Sequence, residues 1–392
     1  MQQNTDSQWI PEPTETNDCP LCGSAGGPVV GTIGRHGVPV RNVACTLCGL
    51  VYVTPRPTQA DMAKFYASTY RTQHVLPQRT ADGQIAHMGT PEYDEAVVHR
   101  GRIQANNACK VGRVTDGERI LDVGCRRGLT LQAMREQFQI EAVGIEPGQS
   151  DAAVARELGI EVHAGVFETF DPGDRKFDQV QMFHVLEHLH DPVAALTKLR
   201  SFLKPTGRIV IEVPDVLQPD GGLKHFFQYP HLYSFSPNTL AGLFHRAGLQ
   251  PTGMVRQGLL LMVGIPKRYA VATPAPFRPG MLSNVTQNGR WVAQRLRTYE
   301  GMEQLKRRLR KGAPFHMAHM QELFDRPALQ KHLVQITADL VDILLHRRNA
   351  EHVIAVLEAA ASGPHDPQFI AMCHGVLGRM GHGRQLAQSF SN

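Results

Sequence analysis

The chain has 392 residues, 42% of them hydrophobic and 20% charged, with 41 basic against 36 acidic side chains and a net charge of +5. That length allows two or three domains, and that apolar content supports a packed core. So mild a charge does not call for a nucleic-acid partner, and no apolar run approaches the roughly 18 residues needed to span a bilayer.

Residues 1–18 are polar and proline-containing, without a basic-then-apolar pattern, and read as a loose leader with no export signal. A cysteine module follows over 19–54. Cys19-Pro-Leu-Cys22-Gly and Cys45-Thr-Leu-Cys48-Gly are matched knuckles with 22 residues between them. Four thiolates at these spacings close a tetrahedron around one structural zinc, and the glycine after each second cysteine allows a tight turn. Residues 17–53 hold few large apolar groups, so metal is expected to stand in for a core. Two disulfides or four unrelated thiols are the alternative. Cys109, Cys125 and Cys373 are scattered, and seven cysteines in all is an odd count. Reduced thiols in a cytoplasmic protein fit that count better than disulfides.

Residues 55–117 read as a helical connector. A proline-led short helix occupies 55–70, a loop-like stretch 71–90, and a longer helix Pro91 to Val114. Then comes ERILDVGCRRG, residues 118–128. Ile120 to Val123 is a buried strand, Gly124 and Gly128 shape a turn, and a helical pattern starts at Leu129. A second strand, in AVGIEP, ends at Glu146, 24 positions after Asp122. This is the layout of a nucleoside pocket in an open α/β sheet, where glycines let backbone approach a ligand and the acid takes a ribose diol. The turn does not fit the dinucleotide pattern G-x-G-x-x-G. An acid in the turn suits a ligand with an amino group and no phosphate, such as S-adenosylmethionine.

Residues 118–265 resemble a class I S-adenosylmethionine-dependent methyltransferase. Asp122, Gly124 and Gly128 match that family's D-x-G-x-G-x-G motif, but Arg126 stands where its middle glycine belongs. The Arg126 side chain would crowd the methionine part of the cofactor, point outward, or pair with its carboxylate. The resemblance implies an α/β Rossmann-like sheet over 118–266, mostly parallel with an antiparallel last strand. It would be preceded by the small zinc ribbon-like module and followed by a C-terminal helical region. A third strand is expected near Glu161 to His163 and a fourth over Phe177 to Phe183. The fourth opens into HVLEHLHDP, residues 184–192, a segment that lines the methyl-transfer face in similar proteins, quinone O-methyltransferases among them. Asp191-Pro192 starts a helix through Leu203. Lys204 to Gly207 form a turn and RIVIEVPD, residues 208–215, a fifth strand. The segment 231–249 holds a helix before two antiparallel strands at about 250–255 and 259–266.

The same resemblance assigns the cofactor residues. Asp122, Gly124, Cys125 and Gly128 would shape the methionine side, and Glu146 would hold the ribose. Phe167 and Glu168 would border the adenine, and His184 would close the methyl face. Cys125 reads as a small residue that fits the turn rather than a nucleophile. A general base helps where the acceptor is a hydroxyl or an acidic carbon. His184, Glu187, His188 and His231 are candidates, and His188 and His231 carry the catalytic assignment. Similar methyltransferases with an N-terminal cysteine module include sugar C-methyltransferases that use a histidine after the fifth strand. His231 falls there, although its surroundings differ from theirs. Each histidine has the alternative of a structural hydrogen bond. His188 and His190, two residues apart, would not share a helix face and are a poor metal pair.

Residues 267–288 contain several prolines and read as a linker. From 289 to 392 the pattern is helical, with LVDILL, VIAVLEAA and FIAMCHGVLGRMG at helical spacing. A helical cap, or a surface for a protein partner or a second copy, is expected there. The basic run 304–311 reads as a solvated face. The expected activity is methylation, at O or C, of a small-molecule, glycan or natural-product precursor. One alternative is an RNA methyltransferase with the knuckles on RNA. Against it, residues 17–54 have few basic or aromatic groups, and the segment after the fourth strand lacks N/D-P-P-Y. Another is a non-catalytic scaffold in which Arg126 fills the pocket.

Overall fold

The computed structural model describes residues 11–68, 78–79, 84–86, 90–219, 222–256, 259–266, 289–310, 357 and 373. The expected linker and most of the expected helical tail lie outside them, as do residues 1–10. The chain divides into two compact units, Met1–Ala293 and Gln294–Asn392.

In the first unit a three-stranded antiparallel sheet is built from β1 (Val29–Ile33), β2 (Pro39–Ala44) and β3 (Val51–Val53). Helix α1 (Gln59–Ser68) follows, then the short pair β4 (Gln78–Arg79) and β5 (Ile85–Ala86). Helix α2 (Pro91–Gly112) starts where the sequence places it. Thr90 caps it by accepting from the Tyr93 N–H, and a proline opens its first turn.

The larger sheet takes β6 (Arg119–Val123), α3 (Leu129–Arg135), β7 (Glu141–Glu146), α4 (Gln149–Glu157), β8 (Glu161–Ala164) and β9 (Phe177–Phe183) in order. The chain continues with α5 (Pro192–Ser201), β10 (Leu203–Pro214), α6 (Leu223–Phe226), β11 (Tyr233–Ser234) and α7 (Pro237–Arg246). The sheet ends with β12 (Leu249–Arg256) and β13 (Leu259–Pro266). The spatial order is β12-β13-β10-β9-β6-β7-β8. Strands β10, β9, β6, β7 and β8 pair in parallel, while β13 runs antiparallel to both neighbours. The chain order reverses between β6 and β9, which puts a crevice at the carboxyl ends of those two strands. Asp191 caps α5 by accepting from the Ala194 N–H, and Ser236 and Thr239 form a reciprocal capping pair on α7. In the second unit, the described residues are chiefly the remainder of α8 (Gly289–Arg310), in the stretch read as helical.

The cysteine module does not stand on metal alone. Strand β11 pairs antiparallel with β3, so the four-stranded sheet β1-β2-β3-β11 takes its last strand from the larger domain. Leu21, Leu50 and Tyr52 are fully buried and belong to the same apolar cluster as Leu121, Leu186 and Tyr233. Burial against β11 and α7 supplies the core that residues 17–53 lack by themselves. Residues 11–18 also depart from the loose leader expected of them. Glu15 and Arg56 exchange two backbone hydrogen bonds of 2.9 Å, and Tyr229 donates its hydroxyl to the Pro11 carbonyl at 2.6 Å.

Candidate active site

The two knuckles fold alike. Gly23 and Gly49 both adopt φ 74°, the left-handed region where a side chain is strained. Their N–H groups donate to Cys19 O and Cys45 O, and the N–H groups of those cysteines donate to Ser24 O and Leu50 O. The sulfurs converge. Cys19 Sγ is 3.5 Å from Cys48 Sγ and Cys22 Sγ is 3.3 Å from Cys45 Sγ, and all four atoms lie within 4.8 Å of one another. None of the four is disulfide-bonded. Four thiols on one point, without S–S bonds, are the donor set of a closed tetrahedral zinc site.

At the crevice, β6 ends in Asp122 and Val123 and the chain turns through Gly124 (φ 79°), Arg126 (φ 52°) and Gly128 (φ 73°). A Cβ on Gly124 would sit 2.6 Å from Val185, and one on Gly128 would meet Ile160 at 2.6 Å and Ala155 at 2.9 Å. Arg126 keeps the left-handed backbone of the glycine it replaces, at a cost on the order of 1–2 kcal/mol, and its side chain is exposed. Its N–H donates to Glu146 Oε2 at 3.0 Å, and the Gly148 N–H donates to Oε1 at 2.7 Å. Glu146 therefore joins the end of β7 to the turn after β6. Cys125 is buried with its sulfur against Gly144, and burial raises its thiol pKa, as expected of a residue that fills the turn.

Asp122 is 2% exposed, and its Oδ1 has no hydrogen-bond partner among the described residues. Burial pushes its pKa up to about 7, with a further rise from Glu146 and an opposing hydrogen bond from Gln181. A buried carboxylate oxygen without a donor costs free energy unless a ligand supplies one. The ammonium group of a bound amino acid is such a donor, so the residues present fit S-adenosylmethionine.

The adenine-side pair separates. Phe167 sits in the apolar core edge-on to Phe202, with Lys198 Nζ 5.1 Å above its ring. Glu168 is exposed.

The segment after β9 gathers a second group. His184 is left-handed (φ 54°), and its N–H donates to Glu212 O. Its Nδ1 lies 3.5 Å from Glu187 Oε1 and its Nε2 3.3 Å from Glu212 Oε1. Burial opposes its charged form, but the two carboxylates prevail and its pKa is raised. Burial alone would raise Glu187. The His184 imidazole overrides it and holds that carboxyl below the usual range. His188 packs edge-on to His231 with ring centroids 4.7 Å apart, and burial lowers the pKa of both, His231 to about 3. His190 stands apart, with Nε2 3.0 Å from the Pro57 carbonyl. The cluster thus brings together His184, His188 and His231, and it adds Glu212, which accepts from Gln104 Nε2 at 2.7 Å. Neither Glu212 nor Gln104 was singled out in the sequence. The lone acid inside the apolar run IVIEV was the available signal.

A family model described as "Methyltransferase domain" matches residues 103–252. The chain is similar to a ubiquinone biosynthesis O-methyltransferase of Bradyrhizobium diazoefficiens, 33% identical over 101 residues, which are 24% of this chain and 39% of that protein. A protein with the same name from Cereibacter sphaeroides is 26% identical over 162 residues, 37% of this chain and 64% of its own length. The chain thus spans less than two thirds of these curated relatives. Among solved structures it is similar to the 1,6-didemethyltoxoflavin-N1-methyltransferase of Burkholderia thailandensis with bound S-adenosylhomocysteine. That match has 21% identity and a TM-score of 0.36, and it covers 44% of this chain and 80% of that one. Residues 103–252 are thus matched as a methyltransferase domain, and the parallel sheet, the glycine turn and the acid at the end of β7 lie within it, with a four-cysteine module before it.

Proposed function

We propose that this chain transfers a methyl group from S-adenosylmethionine to an oxygen or carbon of a small molecule, with a glycan or natural-product precursor as the acceptor class. The observation that carries the reading is the unpartnered buried Oδ1 of Asp122, which flanks a glycine turn tied to Glu146. The names of the ubiquinone-pathway relatives support a small acceptor.

When bound, the cofactor supplies a methyl group already activated on a sulfonium, so the protein's work is orientation and exclusion of water. Asp122 would take the ammonium group, with Gly124, Cys125 and Gly128 shaping the methionine side. Glu146 would take the ribose diol, and Glu168, with the loop around Phe167, would border the adenine. His184 would close the methyl face. His188 and His231 would stand on the acceptor side as neutral imidazoles, able to take a hydrogen bond from a hydroxyl or an acidic C–H. Cys19, Cys22, Cys45 and Cys48 would hold one structural zinc, and their unpaired thiols suit a cytoplasmic setting.

The test is transfer of label from methyl-tritiated S-adenosylmethionine to a panel of phenols, sugar nucleotides and structured RNA. Label in a small-molecule arm supports the reading. Label in the RNA arm alone, or turnover unchanged in an Asp122→Ala, Glu146→Ala double variant, contradicts it.

A further inference from the structure

Glu187 is fully buried, and neither of its carboxylate oxygens finds a hydrogen-bond donor among the described residues. Its nearest cationic group, His184 Nδ1, stands 3.5 Å off, too far for a good hydrogen bond, and that imidazole is shared with Glu212. That shared imidazole compensates the buried carboxylate only in part, and a second positive group beside it would be favourable.

Two imidazoles face the same point. His188 Nδ1 lies 3.0 Å from the Pro230 carbonyl and 2.9 Å from the Tyr66 hydroxyl. A carbonyl only accepts, so Nδ1 carries the proton and Nε2 keeps its lone pair. That Nε2 points to Glu187 Oε1, 4.0 Å away. A histidine that gives one N–H to a backbone carbonyl and turns its unprotonated nitrogen toward a carboxylate has the arrangement of a metal ligand with its supporting contact. His231 lies against it, with ring centroids 4.7 Å apart. One ligand atom each from Glu187, His188 and His231 fall within 4.8 Å of one another. Ligands at about 2.0–2.2 Å from one ion lie roughly 3–4 Å apart, so closure by under about an ångström completes the set.

We propose that Glu187, His188 and His231 form a second metal site, separate from the four cysteines, which takes one divalent first-row transition-metal ion such as Mn2+, Fe2+ or Zn2+. One carboxylate and two imidazoles suit such ions better than the all-sulfur set does. Three protein ligands leave coordination positions for an outside oxygen. Val185, two residues before Glu187, packs on Gly124 of the cofactor turn, so the ion would sit beside the methyl donor's binding loop. Resting on the methyltransferase reading, the outside ligand would be the acceptor's hydroxyl. The ion lowers that hydroxyl's pKa, and its proton passes to solvent. The oxygen lone pair then forms the C–O bond, and the S–C electron pair stays on sulfur as S-adenosylhomocysteine leaves. Acceptors would thus be oxygen nucleophiles.

Mn2+ titrated into the full chain and followed by the loss of its free-ion electron paramagnetic resonance signal reads this site, because an all-thiolate site selects softer ions. One Mn2+ per chain is expected. Glu187→Gln and His231→Asn should each weaken it at least tenfold, with S-adenosylhomocysteine affinity and melting temperature within error of the parent as the check on folding. No bound Mn2+ in the parent, together with no more than one Zn2+ per chain by mass spectrometry, overturns the proposal. So does equal Mn2+ affinity in either folded variant. S-adenosylhomocysteine calorimetry on the same samples separates the two readings. Bound Mn2+ without bound nucleoside would remove the methyl-transfer reading and leave the metal site.

Discussion

Tyr52, on the last strand of the cysteine module, pairs directly with Tyr233, two residues after His231. The Val53 N–H donates to the Leu232 carbonyl at 2.9 Å in the same ladder, and Arg246 reaches back to the carbonyls of Pro20 and Leu21 in the first knuckle. The cysteine module and the loop that carries His231 are therefore one piece of structure. The glycine turn hangs on different strands, β6 and β7.

That division sets the first expectation. Cys22→Ser should abolish zinc binding at the four-cysteine cluster and loosen residues 231–235 with the module. Methyl transfer should fall at least tenfold while S-adenosylhomocysteine affinity changes by less than threefold. Metal analysis, turnover and calorimetry on the same sample check it, and retained stoichiometric zinc would count against the four-thiolate site.

Glu146 makes two demands on the turn, through the N–H groups of Arg126 and Gly148. Glu146→Ala should lower cofactor affinity at least tenfold, or about 1.4 kcal/mol, with the sheet still folded by circular dichroism. Equal affinity in variant and parent would refute the ribose assignment.

Asp122 gives a pH signature. Its folded pKa is raised to about 7 from the ordinary carboxyl value of 3.8, chiefly by burial. A raised folded pKa means the stability from this group is fully present below the unfolded value and is lost as pH rises through the folded one. Without ligand, the protein should therefore lose stability between about pH 4 and 7 from this group. Asp122→Asn, which cannot ionise, should flatten that slope. A cofactor ammonium would favour the carboxylate, so binding near pH 7 should release a proton, seen as a calorimetric enthalpy that changes with the buffer. No buffer dependence would break the proposed pairing.

The two unusual positions of the turn should respond in opposite ways. At Gly128 a Cβ meets Ile160 and Ala155 below 3.0 Å, and φ is +73°. Gly128→Ala should cost about 2–4 kcal/mol of stability. Arg126→Gly removes a left-handed side chain and should leave the melting temperature unchanged or raised. Thermal unfolding of both variants decides this, and a neutral Gly128→Ala would show that the turn is not packed as described.

Much of this was legible in the sequence, because the relevant constraints are local. The apolar run Ile120–Val123 with its glycine turn, the acid ending β7, the proline-led α5 and the two knuckles each carry their own geometry within a dozen residues. The strand expected over Phe177 to Phe183 has those bounds in the structure. What was not legible depends on distant chain. Nothing in 19–54 announces that β3 will take β11 as a neighbour, or that Leu21 and Tyr52 will share a buried cluster with Tyr233. Arg56 holding Glu15 in place has the same cause, since a side-chain pair across 41 positions has no periodic signal. His231 was picked for its region alone. Its packing on His188 comes from the Leu232 N–H bonding the Glu187 carbonyl, a contact only the fold creates.

Calorimetric titration of the 392-residue chain with S-adenosylhomocysteine tests the central claim most directly. One site with micromolar affinity, weakened by Glu146→Ala, is the predicted result. No detectable binding at millimolar ligand across pH 6 to 9 would contradict it.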